Sequence, residues 1–171
     1  MKQASFEEIY EELYPAVYRF VCLRIPSSEI EDVTAEIMAK IWKSIERFEG
    51  RSSLKSWALR ISANYIVDFY RGRKEVQILP LSEELQNSQS SRDHGEDLAT
   101  FLSVSNTMSQ LTEQQVAVIQ LRLIEGFSAA ETADILGTTQ QAVDSMLYRA
   151  KKSFRTIYTA EMAGGEANGR R

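Results

Sequence analysis

Residues 128–155 read SAAETADILGTTQQAVDSMLYRAKKSFR, which parses as a short helix, a tight turn and a longer helix. Ser128 and Glu131 form an S-x-x-E capping box: the hydroxyl accepts from an early helix N–H, and the carboxylate answers the N–H of the cap. Gly137 stands where a helix that ends in a left-handed residue favours glycine, which has no Cβ to clash. Thr138 and Gln141 repeat the box spacing before the second helix. In that helix Val143, Leu147, Ala150, Phe154 and Ile157 recur at intervals of three and four as one apolar stripe. Gln140, Gln141, Ser145, Arg149 and Lys152 lie off the stripe and are hydrogen-bonding or cationic. Two helices joined by a glycine turn, the second polar outward, fit a DNA-reading helix-turn-helix. On these residues alone an ordinary helical hairpin fits equally well.

The chain around this stretch has 171 residues, 43% of them hydrophobic, enough for one domain or two small ones. No run approaches the roughly 18 apolar residues that a membrane span requires. The opening MKQASFEE turns acidic at once instead of entering an apolar leader, so a cytoplasmic protein is expected. Cys22 is the single cysteine and His94 the single histidine, which leaves no disulfide framework and no thiol-based metal site.

The net charge of −4 is unevenly placed. Residues 1–75 hold twelve basic and twelve acidic side chains, and residues 111–160 hold five of each. Residues 76–110 hold one basic residue, Arg92, against five acidic ones, so the deficit lies there. Because salt screens charges beyond about 8 Å, local clusters decide contacts. Arg51, Lys55, Arg60, Arg71, Arg73 and Lys74 form one cluster, opposed only by Asp68. Arg149, Lys151, Lys152 and Arg155 form a second.

Five further elements are predicted. A first helix runs from a Ser5–Glu8 box to about Ile25, with Pro15 expected to kink or split it and Pro26 to close it. A second opens on a Ser28–Glu31 box and lines Ile30, Val33, Ile37, Ile41, Ile45 and Phe48 along one face. After the loop 49–53, Leu54 to Tyr70 forms a third, in which Trp57, Tyr65, Phe69 and Tyr70 interleave with the first basic cluster. Rings that stack on unpaired bases beside cations that track phosphates suit single-stranded nucleic acid; the same rings at period four also suit a core. Residues 86–97 contain no apolar side chain, so nothing there offsets the entropy of ordering. Helical spacing resumes at Leu98, Phe101, Leu102, Ser105 and Met108. Thr112 with Gln115 then caps a helix that carries Val116, Ile119 and Leu123 and stops at Gly126. After Ile157 the sequence reads as a disordered tail.

The expected fold is all-α: two small helical domains, 1–72 and 97–160, joined by a flexible acidic linker, 73–96, with a tail at 161–171. There is no P-loop, dinucleotide fingerprint or nucleophile elbow. One histidine and one cysteine far apart leave few nucleophile–base pairs. No enzyme activity, cofactor or metal is expected.

Two segments together resemble a known family. IEDVTAEIMAKIWKSIERFEGRSSLKSWALRISANYIVDFYRGRK, residues 30–74, resembles region 2 of extracytoplasmic-function sigma factors. LTEQQVAVIQLRLIEGFSAAETADILGTTQQAVDSMLYRAKKSFR, residues 111–155, resembles their region 4. Their order, the polar linker and the total length also fit. The resemblance implies binding to core RNA polymerase, direction to promoter DNA and assistance in opening the duplex. An anti-sigma factor, often membrane-anchored in the family, is a further implied partner.

By this resemblance Asp32, Glu36, Ile37 and Lys40 fall where region 2 meets the polymerase clamp. The loop Phe48 to Ser53, with Arg51 and Ser52, matches the one that takes a flipped base of the −10 element. Trp57, Arg60, Asn64, Asp68 and Arg71 lie on the matching helix, Trp57 where a melting wedge stands. Thr139, Gln140, Gln141, Asp144, Ser145, Arg149 and Lys152 match the −35 reading face. The chain departs from the pattern at Ala35, where relatives often have glutamine, at Ala63, often basic, and at Asp144 and Met146, commonly cations. Two cations fewer would flatten the salt dependence of duplex binding by roughly 1.8 log units per log unit of salt. The competing reading is a polymerase-independent helix-turn-helix regulator that binds palindromic sites as a dimer. The relative placement of the two domains is left open.

Overall fold

The computed structural model describes residues 6–72 and 103–168, and every described element is helical. The expected linker and the helical starts at Leu98, Phe101 and Leu102 lie outside the described residues. In the front half, α1 (Phe6–Cys22) buries Ile9, Leu13, Val17, Phe20 and Val21 on one face. It runs through Pro15 without a break. Pro15 is exposed, so the carbonyl one turn back that loses its donor sits on the wet side of the helix, where water can serve it.

A 3₁₀ turn, Ser27–Glu29, precedes α2 (Ile30–Ser44). The expected Ser28–Glu31 box does not form, because Ser28 lies inside that turn and the cap position falls on Glu29, which makes no side-chain cap bond. α3 (Leu54–Arg71) opens on the Ser53 hydroxyl, which accepts from the Ser56 N–H at 3.0 Å. The three helices close on Leu13, Phe20, Ile37, Ile41, Leu59 and Ile66, all fully buried. Each such side chain stabilises the bundle by about 1.5–3 kcal/mol relative to exposure.

In the rear half, α4 (103–109) leads to α5 (Glu113–Ile119), whose Thr112–Gln115 box is complete. α5 passes into a π turn, Gln120–Ile124, closed by the Glu125 N–H on the Gln120 carbonyl at 2.8 Å. The wider turn shifts the register of the apolar face. Leu121 is buried, whereas Leu123, expected to continue the stripe, is 53% exposed beside Ile124. Gly126, at φ +76°, ends the turn.

α6 (Ala129–Leu136) carries both halves of the Ser128–Glu131 box and ends on Gly137 in the left-handed conformation, φ +65°. α7 (Gln140–Asn168) is capped by Thr139 rather than Thr138: the Ala142 N–H donates to the Thr139 hydroxyl at 3.2 Å. The residue three beyond that cap is Ala142, which has no side chain to return the bond, so no box forms. α7 also continues to Asn168, past residue 161 where the sequence reads as a tail. Glu161 accepts there from Asn106, Gln110 and, at 3.1 Å, Thr107, so polar side chains of α4 and the following turn hold the end of the long helix.

The two halves meet along a seam in which α6 packs on α3. Leu121, Phe127 and Ile135 of the rear half join the apolar core of the front half. Beside them the Glu125 carboxylate, 4% exposed, accepts from Lys55 Nζ at 2.6 Å and from Arg19 Nε at 3.3 Å. Burial pushes the Glu125 carboxyl up, but the hydrogen bonds and charges of Lys55 and Arg19 together bring it below its ordinary value. Gln120 Nε2 donates to the Arg19 carbonyl at 2.8 Å. The guanidinium of Arg24 is fully buried, pairs with Glu113 and lies 4.2 Å over the Phe20 ring. Burial lowers its pKa to about 9, so it enters the seam charged at neutral pH.

Candidate polymerase and nucleic-acid interfaces

Asp32, Glu36 and Lys40 recur every four residues along α2, and all three are exposed on the side away from Ile30, Val33, Ile37 and Ile41. The hydroxyl of Tyr65 on α3 donates to Glu36, and Lys40 Nζ lies 4.8 Å from the centre of the same ring. One tyrosine thus fixes an acid and a base of opposite charge in adjacent positions before any partner arrives. Ile37 differs from the other three. Its side chain is 0% exposed, so it supports this face from beneath and presents nothing to a partner. Periodicity placed it on the buried stripe, and that assignment prevails over its neighbourhood in sequence. Tyr65 was legible as an aromatic of α3, but its role in positioning Glu36 depends on a contact between helices.

The loop before α3 turns at Gly50, φ +70°, and exposes Arg51 and Ser52. Arg51 pairs with Glu49 at 2.6 Å, and both side chains are largely in solvent. Such a pair is worth little and yields readily to another anion. Phe48 and Trp57 pack with ring centroids 5.2 Å apart, which leaves Trp57 half-buried. Trp57, Arg60, Asn64, Asp68 and Arg71 follow at intervals of three and four, so they lie along one face of α3, opposite the buried Leu59, Ser62 and Ile66. Arg60, Asn64, Asp68 and Arg71 are exposed, and Arg71 bonds Asp68 at 3.3 Å. Arg51, Ser52, Trp57 and Arg60 gather around a cavity of about 300 Å³. Its far wall is Glu131, Asp134 and Ile135 of α6.

On α7, Thr139, Gln140, Gln141, Asp144, Ser145, Arg149 and Lys152 are all exposed. Val143 and Ala150 are fully buried on the opposite side, with Leu147, Phe154 and Ile157 packed partly against the same core. Met146 packs partly against that core as well. Of the two departures from the family pattern, Asp144 alone therefore changes the charge of the open face. Tyr148 was missed. It is 71% exposed and, at 100° per residue, stands between Asp144 on one side and Gln141 and Lys152 on the other. A search for polar readers passes over an aromatic residue, but exposure of so large a ring on a capped, well-packed helix marks it as part of the face.

Among the described residues no helix is long and apolar enough to cross a membrane. Residues 9–76 match the family described as Sigma-70 region 2, and residues 101–154 match Sigma-70, region 4. The ECF RNA polymerase sigma factor SigX of Bacillus subtilis is 28% identical over 161 residues, which cover 90% of this chain and 83% of SigX. The ECF RNA polymerase sigma factor BldN of Streptomyces coelicolor is 25% identical over 159 residues; that match covers 90% of this chain and 60% of BldN. Among solved structures, the sigma factor RpoE of Bartonella quintana, in complex with the anti-sigma factor NepR, has a similar fold, with a TM-score of 0.70 at 21% identity over 90% of this chain and 96% of that one. With a region 2 bundle in front and a region 4 helix-turn-helix behind, in the order and with the helices both matches require, the chain belongs to the sigma-70 family, in its extracytoplasmic-function group.

Proposed function

We propose that this chain binds core RNA polymerase and directs it to promoters, region 2 reading and helping to melt the −10 element and region 4 reading the −35 element. The observation that carries this reading is the coexistence, in one chain, of two separate faces suited to nucleic acid. One combines an aromatic pair, Phe48 and Trp57, with Arg51 and Arg60 at a cavity, which suits an unpaired base and its phosphates. The other is the outer face of a capped helix, which suits a major groove. Asp32, Glu36 and Lys40, held in part by Tyr65, supply the polymerase contact. An anti-sigma factor is the further partner under this reading. A dimeric regulator that works without polymerase is not favoured, because the family match includes both halves.

Neither DNA face carries the six to ten phosphate contacts that give strong free-standing binding. Promoter engagement therefore depends on polymerase, which raises the effective concentration of each weak reader beside the other. Run-off transcription with purified core polymerase tests the reading. Specific transcripts are expected only when the chain is present. Their absence on promoters drawn from its own genome, or promoter binding by the chain alone as a symmetric dimer, would overturn it.

A further inference from the structure

Asp144 is the only acidic residue between Gln140 and Ala160, and the fold makes no use of it. It is exposed, and among the described residues no hydrogen bond or ion pair holds its carboxylate. A carboxylate favours a helix when it stands in the first turn, near the unpaired N–H groups, or when a cation stands one turn away. The first turn of α7 holds no acid, and Asp144 lies beyond it. Its neighbours one turn away are Gln140, Gln141, Leu147 and Tyr148, none of them cationic. On a face that approaches a polyanion, such a charge is a cost unless one base repays it.

We propose that Asp144 selects cytosine in the −35 element, accepting a hydrogen bond from the exocyclic amino group of the base in the major groove. This deepens the reading of region 4 given above and rests on it. A carboxylate is an acceptor and nothing else. Guanine presents N7 and O6 in the major groove, and thymine presents O4, all acceptors that meet a carboxylate unfavourably. Adenine offers an amino group, but with the N7 acceptor beside it. Cytosine alone offers an amino group with no acceptor next to it, so the carboxylate ranks cytosine first. A wrong base leaves the charge facing acceptors, and discrimination comes as much from that repulsion as from the correct bond.

The position of Asp144 suits contact with base edges. A recognition helix touches bases with its N-terminal residues. At 100° per residue, Asp144 falls about 60° from Gln141 and about 40° from Tyr148, all on the outward side. The backbone beneath it is held firmly. The Thr139 hydroxyl takes the Ala142 N–H at 3.2 Å, and Val143, the preceding residue, is fully buried. A side chain next to such an anchor has little room to wander, which readout of a single base requires. The exposed ring of Tyr148, one turn on, excludes water from a contact made beside it, and a hydrogen bond strengthens as water leaves. Arg149 and Lys152 lie further along the same helix, both exposed, where cations offset the repulsion between the carboxylate and the backbone.

The test is a selection from a promoter library. The −35 segment of a promoter from the protein's own genome is randomised, bound by core polymerase carrying the full chain, and sequenced before and after selection. The wild type is expected to enrich cytosine over adenine about tenfold at one position, the order of one mismatched pair. Asp144→Asn presents an amide, which pairs with adenine through N6 and N7, so the preference at that position should turn to adenine while the others stay. Asp144→Ala should flatten the same position alone. Glu7→Gln makes the same change in net charge on an exposed position of α1 and should keep cytosine.

Wild type and Asp144→Asn selecting the same base at every position, or Asp144→Asn binding all sequences more tightly with no change of base, overturns the assignment and leaves the role of region 4 standing. A wild type that selects no base anywhere in the segment overturns the reading of region 4, and the assignment with it.

Discussion

Replacing Asp144 by lysine tests whether the outer face of α7 lies against duplex DNA, and the structure sets the size of the effect. Asp144 is exposed and sits on the first turns of the helix among Gln140, Gln141 and Ser145. Its carboxylate repels any phosphate that the face approaches. At about 6 Å in a water-like dielectric, one unit charge against a phosphate is worth about 0.7 kcal/mol. Asp144→Lys reverses the sign, so the change is about 1.4 kcal/mol, tenfold in affinity at low ionic strength. One added phosphate contact also steepens the salt dependence by about 0.9 log units per log unit. Between about 50 and 200 mM salt the advantage should shrink about 3.5-fold, to about threefold. Met146 packs partly against the core, so Met146→Arg should not double the effect. The assay is anisotropy of a labelled duplex of random sequence, titrated at both salt concentrations, because phosphate contacts ignore sequence. Equal affinity and equal salt slope for Asp144→Lys and wild type would place this face away from the DNA backbone and refute the reasoning.

Other expectations follow from single contacts. Tyr148→Ala should alter which −35 sequences support run-off transcription while leaving thermal stability unchanged, since the ring is 71% exposed; an unchanged preference in a randomised-promoter selection would count against its place on the reading face. Gly137→Ala puts a Cβ on a left-handed residue with open space around it, so only backbone strain acts, about 1 kcal/mol, lowering the calorimetric midpoint by several degrees. Tyr65→Phe removes the bond to Glu36 and should weaken polymerase binding about fivefold, the worth of about 1 kcal/mol, in a competition assay. The strength of the seam between the halves should also depend on pH. Glu125 is held below its ordinary value when the seam is closed and returns to it when open, so the closed form binds fewer protons. The contribution of this carboxylate to the seam is therefore full above the open-state value, about 4.3, and lost as pH falls through the depressed one, which scattering at neutral pH and at about pH 3 would reveal.

Elements that depend on neighbours in sequence were legible in the chain. The Ser128 and Thr112 boxes, the Gly137 terminus and the α7 stripe all formed, because each is decided within one or two turns. Where two adjacent residues could each cap, sequence chose wrongly: Thr138 and Thr139 carry the same hydroxyl, and it is Thr139 that takes the Ala142 N–H. The Ser28 box failed for a similar reason, since the 3₁₀ turn moved the helix start by one residue. The π turn was hidden because a 3.6-residue period assumes that no residue is inserted, and Leu123 followed the wrong phase. Pro15 and Glu161 show the remaining limit. A proline is tolerated when its orphaned carbonyl faces water, and a glycine-rich end stays helical when a distant helix grips it, and neither condition can be read from local composition. The site residues divide along the same line. The exposed stripes on α2, α3 and α7 were readable as spacing, whereas the company they keep across the seam was not.

That company also sets how firmly the two halves hold each other. Burying Leu121, Phe127 and Ile135 against the front core favours closure by a few kcal/mol each at most. Against this stand a buried guanidinium with two unpartnered nitrogens and a buried amide oxygen, each costing about 1–3 kcal/mol. Ion pairs such as Lys55–Glu125 and Arg24–Glu113 then fix how the halves meet more than they strengthen the meeting, since desolvation offsets much of their attraction. The net need only be about 2.7 kcal/mol for ninety-nine molecules in a hundred to be closed. A partner that binds only the separated halves offsets about 2.7 kcal/mol once its free concentration is about 100 times its dissociation constant, enough to cancel that balance. A purely apolar seam of the same extent would lack the buried-polar penalty and would resist opening by that much more. On this reasoning Arg24→Met combined with Glu113→Gln, which removes both charges of the pair, should tighten the seam and raise the calorimetric midpoint, and a lower midpoint would show that the buried ions hold the halves together after all.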